Sequence, residues 1–161
     1  MDMLLAIDPG NVQSAYVVID PETWEIYDKG KVDNAVLLIC AKTWDYSVMA
    51  VEMIASYGMP VGESVFETVV MIGRLVQIAE DRGYVATRVK RIDIKNHICH
   101  SSRAKDSNIR RALIDRFAQH DKNRGTGTKN NPDYFYGFKS DIWAAMAVAV
   151  YYTDNRNTLV T

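Results

Sequence analysis

Three strand-like segments joined by very short turns come first in the sequence, and they limit how the chain can fold more than any other feature. Residues 3–8 (MLLAID) are apolar and end at Pro9 and Gly10, residues 12–19 (VQSAYVVI) follow, and residues 24–31 (WEIYDKGK) alternate in polarity. Turns this short connect antiparallel neighbours, because a parallel crossover needs about a dozen residues or more. The sequence therefore predicts an antiparallel meander.

Strands and helices alternate in the remaining sequence. Residues 48–54 (VMAVEMI) are apolar on both faces, which is typical of a central strand, and residues 85–89 predict another strand. Helices are predicted at residues 34–42, 61–82, 106–119 and 141–152. This alternation predicts parallel crossovers, and hence an α/β fold with a five-stranded mixed sheet and helices on both faces. Because no repeat or long linker interrupts the pattern, we expect residues 1–161 to form a single domain.

The length and cysteine content suit a cytoplasmic protein. A chain of 161 residues can bury a core without disulfides, and its two cysteines form no CxxC pair. The N-terminus (MDMLLAIDPG) lacks the basic region of a signal peptide, and no apolar run approaches the roughly 20 residues of a membrane span. We therefore expect a cytoplasmic location and no membrane partner.

Charge is distributed unevenly along the chain, although the net charge is only −1. Residues 88–139 contain 13 Lys/Arg and 5 Asp/Glu, a local charge of +8, and the remainder carries −9. This asymmetry predicts a polyanion-binding face on an otherwise acidic protein. A solvated basic surface without a partner is the alternative explanation.

Two acidic residues stand at or within apolar strands. Asp8 ends the first strand, although an Asp before Pro and Gly also commonly forms a turn. Glu52 interrupts a strand that is apolar on both faces, where an unpaired carboxylate costs several kcal/mol. No cation lies near Glu52 in the sequence. A metal ion or a distant Lys or Arg must therefore compensate its charge.

A third acid, Asp141, begins the last predicted helix, where it also suits a helix N-cap. Two strands and a helix N-terminus could each bring one acid to the same point. Together they would supply the hard oxygen ligands that Mg²⁺ needs in phosphodiester hydrolysis. By contrast, His97, Cys99 and His100 resemble zinc ligands in spacing, but no second pair completes such a site. We interpret them as helix and core residues, with His97 or His100 at most near a bound nucleic acid.

Four segments together resemble RuvC-type Holliday-junction resolvases, in particular the phage-encoded branch. They are AIDPGNVQSAY around Asp8, AVEMIASYGM around Glu52, IKNHICHSSRAKDSNIRRALIDRF, and GFKSDIWAAMAVAV around Asp141. They occur in the family's order and span nearly the whole chain. The resemblance implies an RNase H-like fold and a homodimeric endonuclease of DNA recombination and repair. Such an enzyme nicks two opposed strands of a four-way junction with Mg²⁺ or Mn²⁺, leaves 5′-phosphates, and uses no nucleotide cofactor.

The resemblance also assigns roles to single residues. Asp8, Glu52 and Asp141 match the family's catalytic metal ligands. Lys95 and Lys105 fall where the family carries active-site lysines, which would hold the scissile phosphate or stabilise the charge that develops on it. Exposed, solvated lysines are the alternative explanation for both.

One ligand of the family is absent from the sequence. The family has a further Asp one helical turn after the position of Asp141, and this chain has Ala144 there. Either the metal is bound more weakly at this site, or the fourth ligand is water or another carboxylate. Glu63 and Glu67 are the candidates that we consider from the sequence.

Further residues are expected to contact DNA. Basic side chains that would neutralise phosphates without selecting a base sequence are Arg103, Lys105, Arg110, Arg111, Arg124 and Lys129. The last two lie in a Gly- and Asn-rich stretch, residues 122–132, that we expect to be a mobile loop. Tyr57 and Met59 follow the Glu52 strand, where RuvC-type enzymes present a wedge to the junction, although Tyr-Gly-Met is also an ordinary loop sequence. The helix at residues 61–82 is expected to form the dimer interface.

Three other functions are compatible with parts of this pattern. An actin-like or hexokinase-like ATPase begins with a similar strand and turn, but it binds ATP between two domains and this chain has room for one. A junction-binding module without catalysis would account for Ala144, but it would gain stability by replacing Glu52. A less selective branched-DNA nuclease is the third alternative, because junction selectivity depends on dimer geometry.

Overall fold

The computed structural model describes residues 2–119 and 124–159. Within these residues five strands and five helices follow one another along the chain. They are β1 (Leu4–Asp8), β2 (Gln13–Ile19), β3 (Ile26–Asp33), α1 (Asn34–Thr43), β4 (Val48–Met53), α2 (Glu63–Asp81), β5 (Val85–Lys90), α3 (Arg91–Cys99), α4 (Asp106–Phe117) and α5 (Ile142–Leu159).

The strands form one mixed sheet in the order β3-β2-β1-β4-β5. The pairs β1–β2 and β2–β3 are antiparallel, as expected for strands joined by short turns, and β1–β4 and β4–β5 are parallel. The crossovers that contain α1 and α2 make the parallel pairs possible. The predicted α/β fold, with its meander followed by crossovers, is confirmed.

Side chains of the central strands alternate between two cores, one on each face of the sheet. In β1, Leu4 and Ala6 pack under α5, and Leu5 and Ile7 pack under α1 and α2. This alternation is the period-2 geometry of a strand. The helix α5 is buried around most of its circumference, which explains why its sequence is apolar on nearly every face. Helices therefore cover both faces of the sheet.

The apolar periodicity predicts that α2 turns Val65, Val69, Ile72, Val76 and Ile78 or Ala79 inward, and the structure agrees only in part. The most buried residues of α2 are Thr68, Met71, Ile72, Leu75 and Ala79. The periodicity in the sequence also suggested that Val69 points inward, but that side chain is exposed. Two apolar stripes run along this helix, and periodicity alone does not tell which of them faces the sheet.

Two segments depart from the sequence pattern. The helix α3 follows β5 without a turn, and of its residues only Ile94 is buried, so it lacks the apolar periodicity that predicts a helix. In the Gly- and Asn-rich stretch, residues 122 and 123 lie outside the described part. Residues 125–135 are held by backbone hydrogen bonds. Phe135 N donates to Gly125 O at 2.9 Å, and Thr128 N donates to Asn131 O at 3.0 Å.

No helix within the described residues is both long enough and apolar enough to cross a lipid bilayer.

Candidate active site

Asp8 and Glu52 end up side by side because of the register of the sheet. Ile7 pairs with Val51 across the parallel β1–β4 pair, so the next residue on each strand is one of the two acids. Both side chains lie on the face of the sheet that α5 covers, since they are in phase with Ala6 and Ala50. Carboxyl ends of parallel strands are the edge where α/β folds build their sites.

The turn after Asp8 is held in place by its own hydrogen bonds. Gly10 N donates to Ser14 Oγ at 3.1 Å, Ser14 Oγ donates to Asn34 Oδ1 at 2.7 Å, and Asn34 Nδ2 donates back to Gly10 O at 2.9 Å. A Cβ atom on Gly10 would lie 2.2 Å from the backbone oxygen of Gln13. Only glycine fits this close approach. Gly10 is therefore needed for the chain to turn directly after Asp8.

Glu52 is compensated by an arginine that the sequence did not indicate. Its side chain is only 11% exposed, and Arg91 Nε donates to Glu52 Oε1 at 2.8 Å. The same guanidinium donates through Nη1 to Asp106 Oδ1 at 3.0 Å. Arg91 therefore bridges a carboxylate of β4 and one of α4. The expectation that a distant cation or a metal must balance Glu52 is met in part by Arg91.

Asp141 lies directly before α5 and pairs with a lysine from the edge strand. Its backbone oxygen accepts the amide of Ala145 at 3.0 Å, which is the helix N-cap arrangement that we considered. Its side chain, however, accepts a hydrogen bond from Lys31 Nζ at 2.6 Å. Lys31 pairs across β2 with Ala15, and Ala15 pairs with Asp8. Lys31 and Asp8 therefore lie in the same row of the sheet.

Glu52, Arg91 and Asp141 line a small cavity of about 60 Å³. It is lined by Glu52, Arg91, Ile94, Asp106, Ile109, Ser140, Asp141, Trp143, Ala144 and Ala147. A volume of this size has room for an ion or about two waters. Ala144 contributes a methyl group where the resemblance would have an acid, and Asp106 contributes a carboxylate from α4.

Burial and the neighbouring acids strongly raise the pKa of Asp8. Burial, the largest cause, and the charge of Glu52 raise the pKa of Asp8 to about 7, with further contributions from Asp141 and Asp106. Arg91 opposes this shift only in part. A carboxylic acid that keeps its proton near neutral pH indicates a site with too little positive charge.

This donor set suits a hard divalent cation. All the acids present carboxylate oxygens, the ligands that Mg²⁺ and Mn²⁺ prefer. Among residues 2–119 and 124–159, no three His, Cys, Asp or Glu side chains are placed to hold an ion as they stand. Arg91 and Lys31 donate hydrogen bonds to oxygens of Glu52 and Asp141. Protein cations thus take positions that a metal ion could take.

The predicted lysines occupy different surroundings. Lys105 directly precedes Asp106 and is exposed, and Lys95 is partly buried on α3, one turn after Arg91. The ion pairs described above join Lys31 and Arg91 to the acids, rather than Lys95 and Lys105.

The candidates for a fourth ligand, Glu63 and Glu67, are exposed on α2, which covers the sheet face opposite to α5. The structure instead gives the cavity a carboxylate from Asp106.

Arginines predicted to bind DNA line a groove next to the acids. Arg110, Arg111 and Arg124 surround a groove of about 590 Å³ that begins at Ser107 on α4. The guanidinium of Arg110 lies 4.6 Å from the ring centroid of Trp143. The other predicted contacts, Arg103 and Lys129, are exposed.

Tyr57 and Met59 lie in the loop after β4, close in sequence to Glu52. Their side chains are exposed, and Tyr57 has a positive φ of 47° in the turn. The loop therefore presents an aromatic ring and a thioether to the solvent.

His97 takes part in a structural ion network rather than a metal cluster. Its Nε2 lies 2.7 Å from Asp154 Oδ2, and Arg116 donates two hydrogen bonds to the same carboxylate, at 2.7 and 2.9 Å. These three residues come from α3, α5 and α4. The interpretation of His97 as a helix residue agrees with its place in α3, where its side chain is partly exposed.

Sequence reasoning did not identify Lys31, Arg91 or Asp106 as residues of the site. Lys31 sits in an alternating edge strand, and Arg91 and Asp106 sit in the basic segment among many charges. The buried charge of Glu52 indicated that a partner must exist, but only the fold identifies which one.

Comparison with solved structures identifies the fold. RuvC of Thermus thermophilus has a TM-score of 0.69 at 14% identity, with 97% of this chain and 96% of that chain covered. T. thermophilus RuvC in complex with a Holliday junction substrate has a TM-score of 0.70 at 12% identity, with 98% and 96% covered. The yeast mitochondrial Holliday junction resolvase Ydc2 has a TM-score of 0.62 at 14% identity, with 98% and 80% covered.

No protein-family model and no curated protein matches the sequence. At these identities the structural likeness shows a shared fold. The predicted RuvC-like, RNase H-like architecture is confirmed, and the phage-encoded branch stays a prediction.

Proposed function

We propose that this protein is a divalent-metal-dependent endonuclease that binds branched DNA, four-way junctions in particular, and nicks its phosphodiester bonds. The observation that carries the proposal is that Glu52 and Asp141 line one cavity at an edge of a RuvC-like sheet and both act electrostatically on Asp8, with a groove of arginines beside them. A solved structure of the same fold holds a Holliday junction, which supports the choice of substrate.

In this proposal Asp8, Glu52 and Asp141 hold one or two Mg²⁺ or Mn²⁺ ions. A bound ion would supply Lewis-acid activation of water and stabilisation of the departing 3′ oxygen, so that the products carry 5′-phosphates. The protein's own contribution is to keep these carboxylates close together despite their repulsion. Lys105 and Lys95, as the resemblance implies, would hold the scissile phosphate from the helix side.

DNA would lie along the basic groove. Arg110, Arg111 and Arg124 would neutralise phosphates of an arm that leaves the site, with Arg103 and Lys129 at its ends. Tyr57 and Met59 would act at the junction core, where exposed apolar side chains can unstack a base step.

The replacement of Arg111 tests the groove. Arg111→Gln should reduce the steepness of the slope of log K for DNA binding against log salt concentration by about one, because one phosphate contact is lost. An unchanged slope would remove Arg111 from the DNA contacts.

A homodimer would carry two such sites to opposed strands. The support is an apolar stripe on the outer side of α2, where Phe66 and Val70 are each 59% exposed. Apolar patches of this kind on a protein surface commonly mark an interface.

The two cysteines, Cys40 and Cys99, are unpaired, which suits the expected cytoplasmic location.

The decisive experiment is cleavage of a synthetic four-way junction in Mg²⁺ or Mn²⁺ by the wild type, Asp8→Asn and Glu52→Gln. We expect symmetric nicks from the wild type, and loss of cleavage with retained junction binding in both variants. Cleavage that persists in either variant would refute the proposed site.

The alternatives give different results in the same assay. A junction-binding module without catalysis would bind the junction but leave it intact in the wild type. A less selective nuclease would cut linear or flapped duplex as fast as junctions, and then the nuclease assignment would stand without the resolvase assignment. The matched control is Asp45→Asn, an exposed acid in the turn before β4 that lines neither the cavity nor the groove, and this variant should cleave normally.

A further inference from the structure

Asp106, in the first turn of α4, faces the same cavity as Glu52 and Asp141. Arg91 joins two of these acids, with 2.8 Å from Nε to Glu52 and 3.0 Å from Nη1 to Asp106. Because a guanidinium fork spans only a few ångströms, the two carboxylates are held close to each other. A cation, the guanidinium, is thus already seated between them.

The helix α5 supplies only one acid to this cavity. Asp141 precedes the helix, and Ala144, about one turn later, lines the cavity with a methyl group. Asp106 lines the cavity from α4 and acts electrostatically on Asp8. We propose that Asp106 is a fourth acid of the site, whose carboxylate helps to hold a divalent cation together with Asp8, Glu52 and Asp141.

The charge balance of the site favours this assignment. With Asp106 included, four carboxylates face the two protein cations Lys31 and Arg91, which leaves two negative charges when all the acids are ionised. Two negative charges match one divalent cation, whereas the three sequence-predicted acids alone would leave one. The Asp106 side chain is 82% exposed, so it can turn from Arg91 towards a bound ion at little cost.

The proposal is tested by binding in the absence of DNA, so that it does not depend on activity. The full chain is titrated with Mn²⁺ in a calorimeter, and Asp106→Asn should weaken binding at least about tenfold relative to the wild type. Asp115→Asn is the matched control, since it removes an acid from the same helix that pairs with Arg111 instead. Its Mn²⁺ affinity should be unchanged. An unchanged affinity in Asp106→Asn would overturn the proposal.

A second titration separates a ligand from a residue that acts only through Arg91. In an Arg91→Lys background the positive charge is kept, but a single ammonium no longer bridges the two acids in the same way. Asp106→Asn should still weaken Mn²⁺ binding there. If it has no effect in this background, Asp106 acts only by positioning Arg91 and the assignment as a ligand is wrong.

The inference rests on the proposed function, and Asp8→Asn tells the two apart. If the wild type binds no Mn²⁺, or if Asp8→Asn binds it equally well, both fail. If Asp8→Asn abolishes binding and Asp106→Asn does not, only the role of Asp106 fails. Thermal unfolding of each variant verifies its fold, and Ala144→Asp combined with Asp106→Asn should restore much of the affinity, because position 144 lines the same cavity.

Discussion

At the residue scale, the burial of the Glu52 carboxylate is the feature that most needs an explanation. A carboxylate buried in an apolar strand is tolerated only when hydrogen-bonded cations replace the water it loses. Arg91 provides this replacement with a forked contact, at 2.8 Å to one carboxylate oxygen and 3.5 Å to the other. A purely structural strand would be more stable with an apolar residue here. Retaining an acid at this position therefore supports a functional role.

The ion pair between Glu52 and Arg91 should contribute to the stability of the fold. Arg91→Met should lower the free energy of unfolding by about 2 kcal/mol, because it leaves a largely buried carboxylate without its cation. Adding Glu52→Gln should recover part of this loss, since the amide carries no charge. Urea unfolding of the wild type, both single variants and the double variant measures the coupling. Additive effects of the two changes would show that the pair is not energetically coupled.

Asp8 should make the metal-free protein less stable at high pH. Burial and Glu52 raise its pKa to about 7, above the ordinary value of 3.8. The folded state therefore binds the proton more tightly, so the stability that this proton provides is complete below about pH 4 and is lost as the pH rises through 7. Asp8→Asn, which needs no proton, should gain about 2 kcal/mol over the wild type at pH 8.

The measurement is urea unfolding of both proteins in a chelator, at pH 4.5 and pH 8, where the advantage of Asp8→Asn should be clearly larger at pH 8. An advantage that does not change with pH would mean that Asp8 is not the titrating group.

Single residues of the site differ in how far the sequence could predict them. Asp8, Glu52 and Asp141 were predictable, because each stands where an apolar segment begins, ends or is interrupted. Lys31 was not, since it is 110 positions from its partner Asp141 and meets it only through strand register and helix placement. Contacts of this kind depend on the whole fold, so an isolated sequence pattern does not carry them.

At the scale of elements, the apolar pattern of the sequence was sufficient to predict a helix that is buried on most of its sides. The helix α5 is buried on most sides, and its run of apolar residues predicted it directly. Apolar periodicity did not predict the helix α3, which is short and polar and rests on Ile94, although His97 and Cys99 were interpreted as helix residues. It is instead held by tertiary contacts, among them the ion network of His97, Asp154 and Arg116.

This network should stabilise the packing of α3, α4 and α5 in a pH-dependent way. Burial would raise the pKa of Asp154, but hydrogen bonds from Arg116 and His97 outweigh it and lower the pKa. The stabilisation is therefore present above the ordinary pKa near 4 and is lost as the pH falls through the lowered value. Asp154→Asn should cost about 1 kcal/mol at pH 7, because Arg116 is partly exposed.

The check is denaturant unfolding of Asp154→Asn and the wild type at pH 7 and pH 3. The difference in the free energy of unfolding should shrink at pH 3, because the carboxylate of the unfolded wild type is protonated below its ordinary pKa near 4. A difference that persists unchanged at pH 3 would show that the network acts through packing alone.

At the scale of the whole molecule, the sheet separates two surfaces with different properties. The face under α5 ends in the acids and the arginine groove, whereas α2 on the other face presents an apolar stripe to the solvent. The sequence predicted the basic segment and the long helix. It predicted that Val69 and Ile72, which are neighbours on the helix surface, both point inward, whereas the structure buries Ile72 and exposes Val69. Only packing against the sheet decides which part of a broad apolar helix surface is buried.

The outward stripe leads to a prediction about assembly. If two copies pair through α2, a charge placed at Phe66 or Val70 would be buried in an apolar interface, and it should raise the dimer Kd at least about a hundredfold. Both side chains are 59% exposed within one chain, so Phe66→Glu and Val70→Glu should leave the thermal unfolding of the monomer nearly unchanged. Tyr136→Glu is the matched control, an exposed aromatic beside Phe135 on the α5 side of the sheet.

Sedimentation equilibrium measures the three variants against the wild type. We expect monomers for the two α2 variants and an unaltered dimer for Tyr136→Glu. Because paired nicks need two sites on one junction, the α2 variants should also nick one strand at a time, if they cleave at all. A wild type that is monomeric at every concentration, or α2 variants that stay dimeric, would move the interface elsewhere. The acids and the groove would be unaffected by that outcome, since one chain contains them both.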